Sequence, residues 1–249
     1  MNLIRSLLFY LVFYAGTLVL LVLVPFQGRH GMRRVAGAWS GVHRWALRHI
    51  LRIRVICEGA PIDRPALYAM RHESFFEAID SAKLFDAPVV FAKQELLEIP
   101  VWGGAATKYG IIPVARADGA KALRDLMRAA KEAKAEGRPF LIFPEGTRTP
   151  PKCKLGKLQR GAANIAIETQ ADLIPVVVHC NHDTLKKGVP WYRIPPSKIQ
   201  FRLEVDPPIL FNDIHDPGLP RAKQSRALTR FIKEYILSRL KHDFAGNRT

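Results

Sequence analysis

The chain is 249 residues long, with 38 Lys and Arg against 22 Asp and Glu, and 48% of its residues are hydrophobic. That is enough for one large domain or two small ones with a sizeable core. The net charge of +16 calls for an anionic partner: nucleic acid, an acidic membrane surface or phosphorylated substrates. Cys57, Cys153 and Cys180 are odd in number, widely spaced and form no C-x-x-C pair, which argues against a disulfide frame or a zinc knuckle and for a reducing compartment.

Ser6 to Phe26 carries no charge and is mostly Leu, Val, Phe and Tyr. As a helix it is long enough to cross a hydrocarbon core of about 30 Å. Arg5 precedes it, and Arg29, His30, Arg33 and Arg34 follow. The arginine excess on the C-terminal side predicts a cell-membrane protein with its remaining chain on the cytoplasmic face. A cleaved secretory signal fits less well, because the run is long and no small-x-small site ends it. The period then changes. Val35, Trp39, Val42, Trp45, Ala46, Ile50 and Ile53 recur at three- and four-residue steps, and Arg44, Arg48 and Arg52 form a separate ridge. This predicts a basic amphipathic helix, lying either at the headgroup boundary of an anionic bilayer or against the protein's own core. Residues 1–52 are thus expected to be a membrane-anchoring pair of helices, which crosses the bilayer or folds as a hairpin into one leaflet.

Residues 53–249 read as an α/β domain. Strand-like runs are Arg54–Cys57, Ala66–Met70, Pro88–Phe91, Ile111–Val114, Phe140–Phe143, Leu173–Val178 and Ile199–Val205. Helical patterns fall at Phe75–Leu84, Gly119–Glu136 and Lys157–Glu168, and a basic one at Ala222–Lys241. This alternation predicts a largely parallel central sheet flanked by helices, with sites gathered at the carboxyl ends of strands.

The chemistry is expected at three such ends. His72 stands five residues ahead of Glu77, just after a strand and at the start of a helix. A carboxylate that accepts the Nδ1 proton leaves Nε2 as an outward-facing base. Ser74-x-x-Glu77 is also a capping-box pattern, so the same glutamate has a structural reading. Asp80, three residues on, is expected to stand outside the dyad, and Asp80→Asn to be mild. Phe143-Pro144-Glu145-Gly146-Thr147-Arg148 leaves a buried strand and turns sharply; Gly146 allows close approach of a ligand, and Arg148 offers a planar fork for a phosphate. Arg116 follows the strand of Gly110–Val114. His179, Cys180, His182 and Asp183 have mixed ligand types and lack a second pair, so no metal is expected. His43 and His49 lie in the basic helix and are expected at the interface.

His-x4-carboxylate, Gly110-x-x-x-Val114-x-Arg116, Phe143–Arg148 and Leu173-Ile174-Pro175-Val176 stand in order. Lys93, Pro100 and Gly103 lie between the first two, and Lys157 and Gly161 after the third. This set resembles the glycerolipid acyltransferase family that includes 1-acyl-glycerol-3-phosphate acyltransferase, over residues 66 to 180. The family usually carries Asp where this chain has Glu77. The resemblance implies His72 as general base, Glu77 as the residue that orients it, Arg116 and Arg148 on the acceptor's phosphate, Glu145 and Gly146 shaping that pocket, and Pro175 near the acyl chain. It implies acyl-CoA or acyl-acyl-carrier protein as donor, no further cofactor, and membrane lipids as partners. The acceptor is expected to be 1-acyl-glycerol 3-phosphate, or else glycerol 3-phosphate, another lysophospholipid, a lyso-ornithine lipid or a lipid A precursor. An acyl thioester is already activated, so one general base suffices without an acyl-enzyme. No G-x-S-x-G elbow and no P-loop occurs. No nucleic-acid-binding motif accompanies the charge, and a nucleic-acid partner is not expected.

Overall fold

A computed structural model describes residues 2–62, 64–114, 119–150, 154–182, 186–190 and 199–246. Arg116, Cys153 and Asp183 lie outside the described residues. The chain opens with two long helices, α1 (Asn2–Leu23) and α2 (Arg29–His49), joined by a 3₁₀ turn at Val24–Phe26. Seven strands follow: β1 (Arg54–Glu58), β2 (Leu67–Met70), β3 (Val89–Lys93), β4 (Ile112–Val114), β5 (Phe140–Ile142), β6 (Leu173–Cys180) and β7 (Gln200–Val205). Between and after them lie α3 (Phe76–Leu84), α4 (Trp102–Tyr109), α5 (Gly119–Ala135), α6 (Gly161–Thr169), α7 (Phe211–Ile214) and α8 (Arg221–Gly246).

The sheet order is β1-β7-β6-β2-β5-β3-β4. Every neighbouring pair is parallel except β6 with β7, so the sheet is largely parallel, as the strand–helix alternation predicts. β2 is central, and all four of its residues are buried, as expected of a strand covered on both faces. Its carboxyl end, beside that of β5, opens the crevice where sites form in such sheets.

One face of the sheet is covered by α5, α6 and α8, with Leu126, Ile165, Leu228 and Ile236 in the apolar layer. The other carries Phe9 of α1, Ala46 and Leu47 of α2 and Phe76 of α3 in one cluster with Tyr68, Ile174 and Phe201. The basic helix α2 therefore packs on the protein's core. Its two tryptophans part company: Trp39 donates its indole N–H to Thr17 Oγ1 at 2.9 Å, whereas Trp45 is exposed. His43 differs from its interfacial expectation. It is buried between Phe13 and Phe76, and burial pushes its pKa down to about 3, so it stays neutral.

Helix α4 has no counterpart in the sequence reading. Its eight residues include two adjacent glycines, which dilute any helical pattern. Helix α6 starts at Gly161, four residues later than expected, because Gln159 N–H turns away to the Pro144 carbonyl at 2.8 Å.

Candidate active site

β2 ends at Met70, and two residues later the chain presents His72. Its Nδ1 lies 2.9 Å from Glu77 Oε1. The same oxygen accepts the Ser74 backbone N–H at 2.6 Å, and Oε2 accepts the Ser74 hydroxyl at 2.7 Å. Ser74 Oγ in turn accepts the Phe76 N–H at the start of α3. The cap and the dyad are thus one arrangement: the contacts that start the helix aim the carboxylate at the imidazole. Glu77 is fully buried, and the His72 ring stacks on Phe143 at 4.2 Å. With a carboxylate on one side, the ring proton belongs on Nδ1, and Nε2 is left as the base.

The turn after β5 is fastened to the backbone of His72. Thr149 N–H donates to the His72 carbonyl at 2.7 Å, and the Glu145 carboxylate accepts the His72 N–H at 3.2 and 3.3 Å. Gly146 N–H closes the turn on Phe143 O at 2.9 Å, and Gly146 has φ +64, where a side chain would be strained. Arg148 stands 3.8 Å over the Phe75 ring. Burial pulls its pKa down from the usual arginine value, and the Glu77 charge pulls it back up. A guanidinium partly stripped of water on an aromatic face is well prepared for a phosphate.

His72, Gly146 and Arg148 line one cavity of about 870 Å³. Its apolar lining includes Leu20 and Leu21 of α1, Val35 and Trp39 of α2, Ile79 of α3 and Tyr109 of α4. Its wall also carries Lys93, Arg160 and Lys187, which add positive charge to the cavity. Long apolar space next to a base and basic residues suits an amphiphile with an anionic head.

A profile of the family described as Acyltransferase matches residues 52–179. The chain belongs to this acyltransferase family. It is 29% identical over 201 residues to the 1-acyl-sn-glycerol-3-phosphate acyltransferase of Pseudomonas aeruginosa, covering 77% of this chain and 76% of that one. A second relative of the same name, from Helicobacter pylori, is 35% identical over 113 residues, 45% of this chain and 47% of that one. The crystal structure of the 1-acyl-sn-glycerophosphate acyltransferase PlsC from Thermotoga maritima shares the fold, with a TM-score of 0.67 at 24% identity, over 94% of this chain and 98% of the other.

Two residues of the acyltransferase set stand elsewhere than the resemblance implies. Pro175 is buried inside β6, in register with Ala69, and its carbonyl accepts the Asp206 N–H. It does not line the cavity, so a place near the acyl chain is corrected to a place in the sheet. Glu145 is likewise absent from the cavity wall; it is buried beneath His72 and holds that residue's backbone in place of shaping the acceptor pocket.

Burial raises the pKa of Glu145 from 4.5 to about 7, although the Glu145 and His72 backbone N–H groups oppose the rise. Between those two values the unfolded chain has released this proton and the folded chain has kept it, so stability falls as pH rises from 4.5 towards 7 and then levels off. Glu145→Gln keeps an acceptor for His72 N–H and cannot ionise. It should melt above the parent at pH 8 and nearly level with it at pH 5. Parallel melting curves at both pH values would count against a buried, reluctantly ionised Glu145.

Asp80 corrects another expectation. It is fully buried and holds Arg44 of α2 by two contacts, 2.7 Å to Nε and 2.5 Å to Nη2. This pair, with Ser40 Oγ donating to the Ile79 carbonyl, fastens α2 to α3. Asp80→Asn should therefore destabilise, and Arg44→Ala should cost more, about 3 kcal/mol, because it strands a buried carboxylate. Denaturant unfolding that ranks the two the other way would contradict this geometry.

Sequence reading also missed Arg71 and Glu73, which flank His72. Both are buried and paired at 2.6 Å. Arg71 donates to the carbonyls of Val178 at 2.6 Å and Lys154 at 2.8 Å, and Lys186 approaches Glu73 at 3.6 Å. Opposite charges on either side of the histidine were the available signal; their burial was not legible.

Proposed function

We propose that this acyltransferase moves a fatty acyl chain from an acyl thioester, acyl-CoA or acyl-acyl-carrier protein, to the free hydroxyl of 1-acyl-glycerol 3-phosphate, making phosphatidic acid. The observation that carries the reading is the 2.9 Å His72–Glu77 contact at a cavity lined both by apolar helix faces and by Arg148. His72 Nε2 takes the hydroxyl proton as the oxygen attacks the thioester carbonyl. Glu77 stabilises the imidazolium so formed. The tetrahedral intermediate collapses, the carbon–sulfur bond breaks, and the imidazolium returns the proton to the departing thiolate. Products are the ester and the free thiol, and His72 ends as it began. Arg148 grips the acceptor's phosphate; Lys93, Arg160 and Lys187 supply further positive potential. The apolar lining of the cavity takes an acyl chain.

The same reading places the protein on a membrane. Helix α1 is long and apolar enough to cross one, over Leu3–Phe26. It lies against the domain, however: Phe9 is buried in the core cluster, Leu20 and Leu21 wall the cavity, and Lys108 of α4 donates to the Val24 carbonyl at 2.9 Å. Its outward face, with Leu7, Leu11, Leu18 and Val22, is exposed. A helix held along the domain in this way fits a hairpin that dips one face into a single leaflet. The net charge of +16 suits the anionic cytoplasmic surface of that membrane.

The test is to incubate the purified full chain in detergent with acyl-CoA or acyl-acyl-carrier protein and a panel of lysolipids, and to identify the products by mass spectrometry. Arg148→Ala should raise the KM for the acceptor tenfold or more and leave the donor's KM little changed, and Arg148→Lys should rescue poorly, because an ammonium cannot hold two oxygens in a rigid fork. A defect confined to the donor would remove Arg148 from the acceptor site.

A further inference from the structure

The loop between β3 and α4 has the chemistry of a second membrane contact. It runs Gln94-Glu95-Leu96-Leu97-Glu98-Ile99-Pro100-Val101, the first five residues as a 3₁₀ helix. Outside α1 and its 3₁₀ turn, eight large apolar side chains are exposed among the described residues; two of them line the cavity and two more lie in this loop, just before a lining residue. Phe75 and Leu96 line it, and Ile99 and Val101, exposed by 46% and 64%, immediately precede Trp102, which lines it too. Clustering of this kind marks an interaction surface, where scattered single residues would not.

The loop's shape is built. In a 3₁₀ helix, residues three apart share a ridge. Glu95 and Glu98 share one ridge of the helix and Leu96 stands on another, while Ile99 follows just past its end on extended backbone. Val101 has φ +66, a conformation that β-branched residues rarely adopt. The backbone there is packed closely enough that a Cβ on Gly103 would fall 1.8 Å from the Leu97 carbonyl oxygen. A strained valine left exposed stabilises no core, and such strain persists where the surroundings hold it for a use.

The loop also borders the cavity that α1 helps to wall. Leu96 and Trp102 share the cavity wall with Leu20 and Leu21 of α1, and α4, which the loop leads into, is tied by Lys108 to the end of α1. We propose that residues 96–101 insert into the bilayer beside α1, forming with it and Phe75 the lipid-facing rim across which the acceptor passes from membrane to His72. The inference rests on the membrane-bound acyltransferase reading above and adds the path its lipid takes.

The experiment uses the full chain, with α1 and the site residues intact. In vesicles of phosphatidylglycerol and phosphatidylethanolamine, Ile99→Glu/Val101→Glu should still float with the membrane through α1. Its kcat/KM for long-chain lysophosphatidate presented in those vesicles should fall at least tenfold. With a short-chain lysophosphatidate that is monomeric in water, turnover should stay within twofold of the parent. In parallel, the emission that Ile99→Trp adds to the parent's should be quenched by lipids brominated on their acyl chains. Equal losses in both presentations, or no loss in either, would overturn the proposal, as would an added emission that brominated lipid leaves unquenched. If the parent acylates neither lysophosphatidate, the acceptor assignment has failed instead, and the quenching measurement still decides whether the loop inserts.

Discussion

Glu77→Gln is expected to fold and melt close to the parent and to lose between about a hundredfold and ten-thousandfold in kcat. The fold tolerates the change because glutamine can satisfy the same neighbours. Its carbonyl oxygen can accept both the His72 Nδ1 proton and the Ser74 N–H, as Oε1 does now at 2.9 and 2.6 Å. Its amide can donate to Ser74 Oγ, reversing the present 2.7 Å contact. Turnover does not tolerate it, because a neutral partner cannot stabilise the imidazolium that forms as the hydroxyl loses its proton. Glu77→Asp keeps the charge one methylene short and should retain part of the rate. His72→Ala should be inactive, and adding Glu77→Gln to it should cost little more, since groups acting as a unit are not additive. If Glu77→Gln turned over near the parental rate while His72→Ala was dead, Glu77 would be only a helix cap. Asp80 could not then take its place, since both of its oxygens are engaged by Arg44.

The sequence reveals those features whose signal is local. Seven short runs mark the seven strands, most of them rich in β-branched or aromatic residues and bounded by polar or turn residues. The His72–Glu77 pair is legible because five positions join the end of a strand to the first turn of a helix. Arg148 is legible because Pro144 and Gly146 force a turn where a strand must end. Features that depend on distant partners are not legible. Asp80 gives no sign of Arg44, 36 positions earlier, so its substitution reads as mild although the residue is buried and paired. Helix α2 has the same amphipathic pattern whether it meets headgroups or α3; only the packing shows that Ala46 and Leu47 face the core. The cavity's apolar lining comes from four successive helices, α1 to α4, and no single stretch announces it. Pro175 belongs to a motif, but membership says nothing of which way the residue faces.

Arg71→Met should be the most destabilising change around His72, costing about 3–5 kcal/mol. It removes the nearer of two cations from a buried carboxylate 2.6 Å away, leaving only Lys186 at 3.6 Å, and it leaves the Val178 and Lys154 carbonyls without their donor. Most of that cost should come from the stranded charge, so Arg71→Met/Glu73→Gln should be more stable than Arg71→Met alone. What remains is the loss of two carbonyl contacts, about 1 kcal/mol each. Glu73→Gln by itself should be milder, because Arg71 keeps both carbonyls. The sign with pH follows from Glu73. Burial already raises its pKa, with Arg71 and Lys186 pulling it back down. Without Arg71 the pKa rises further in the folded state alone, so the folded chain keeps a proton that the unfolded chain gives up. The deficit of Arg71→Met should therefore fall to that of the carbonyl contacts where Glu73 is protonated in both states and should grow as pH rises above the ordinary glutamate range. Thermal unfolding of the three variants at pH 5 and pH 8 reads this directly. A deficit that is the same at both pH values, or that Glu73→Gln does not relieve, would mean that the carbonyl contacts dominate. Arg71 would then act as a strap between β6 and the loop at Lys154, with the ion pair incidental.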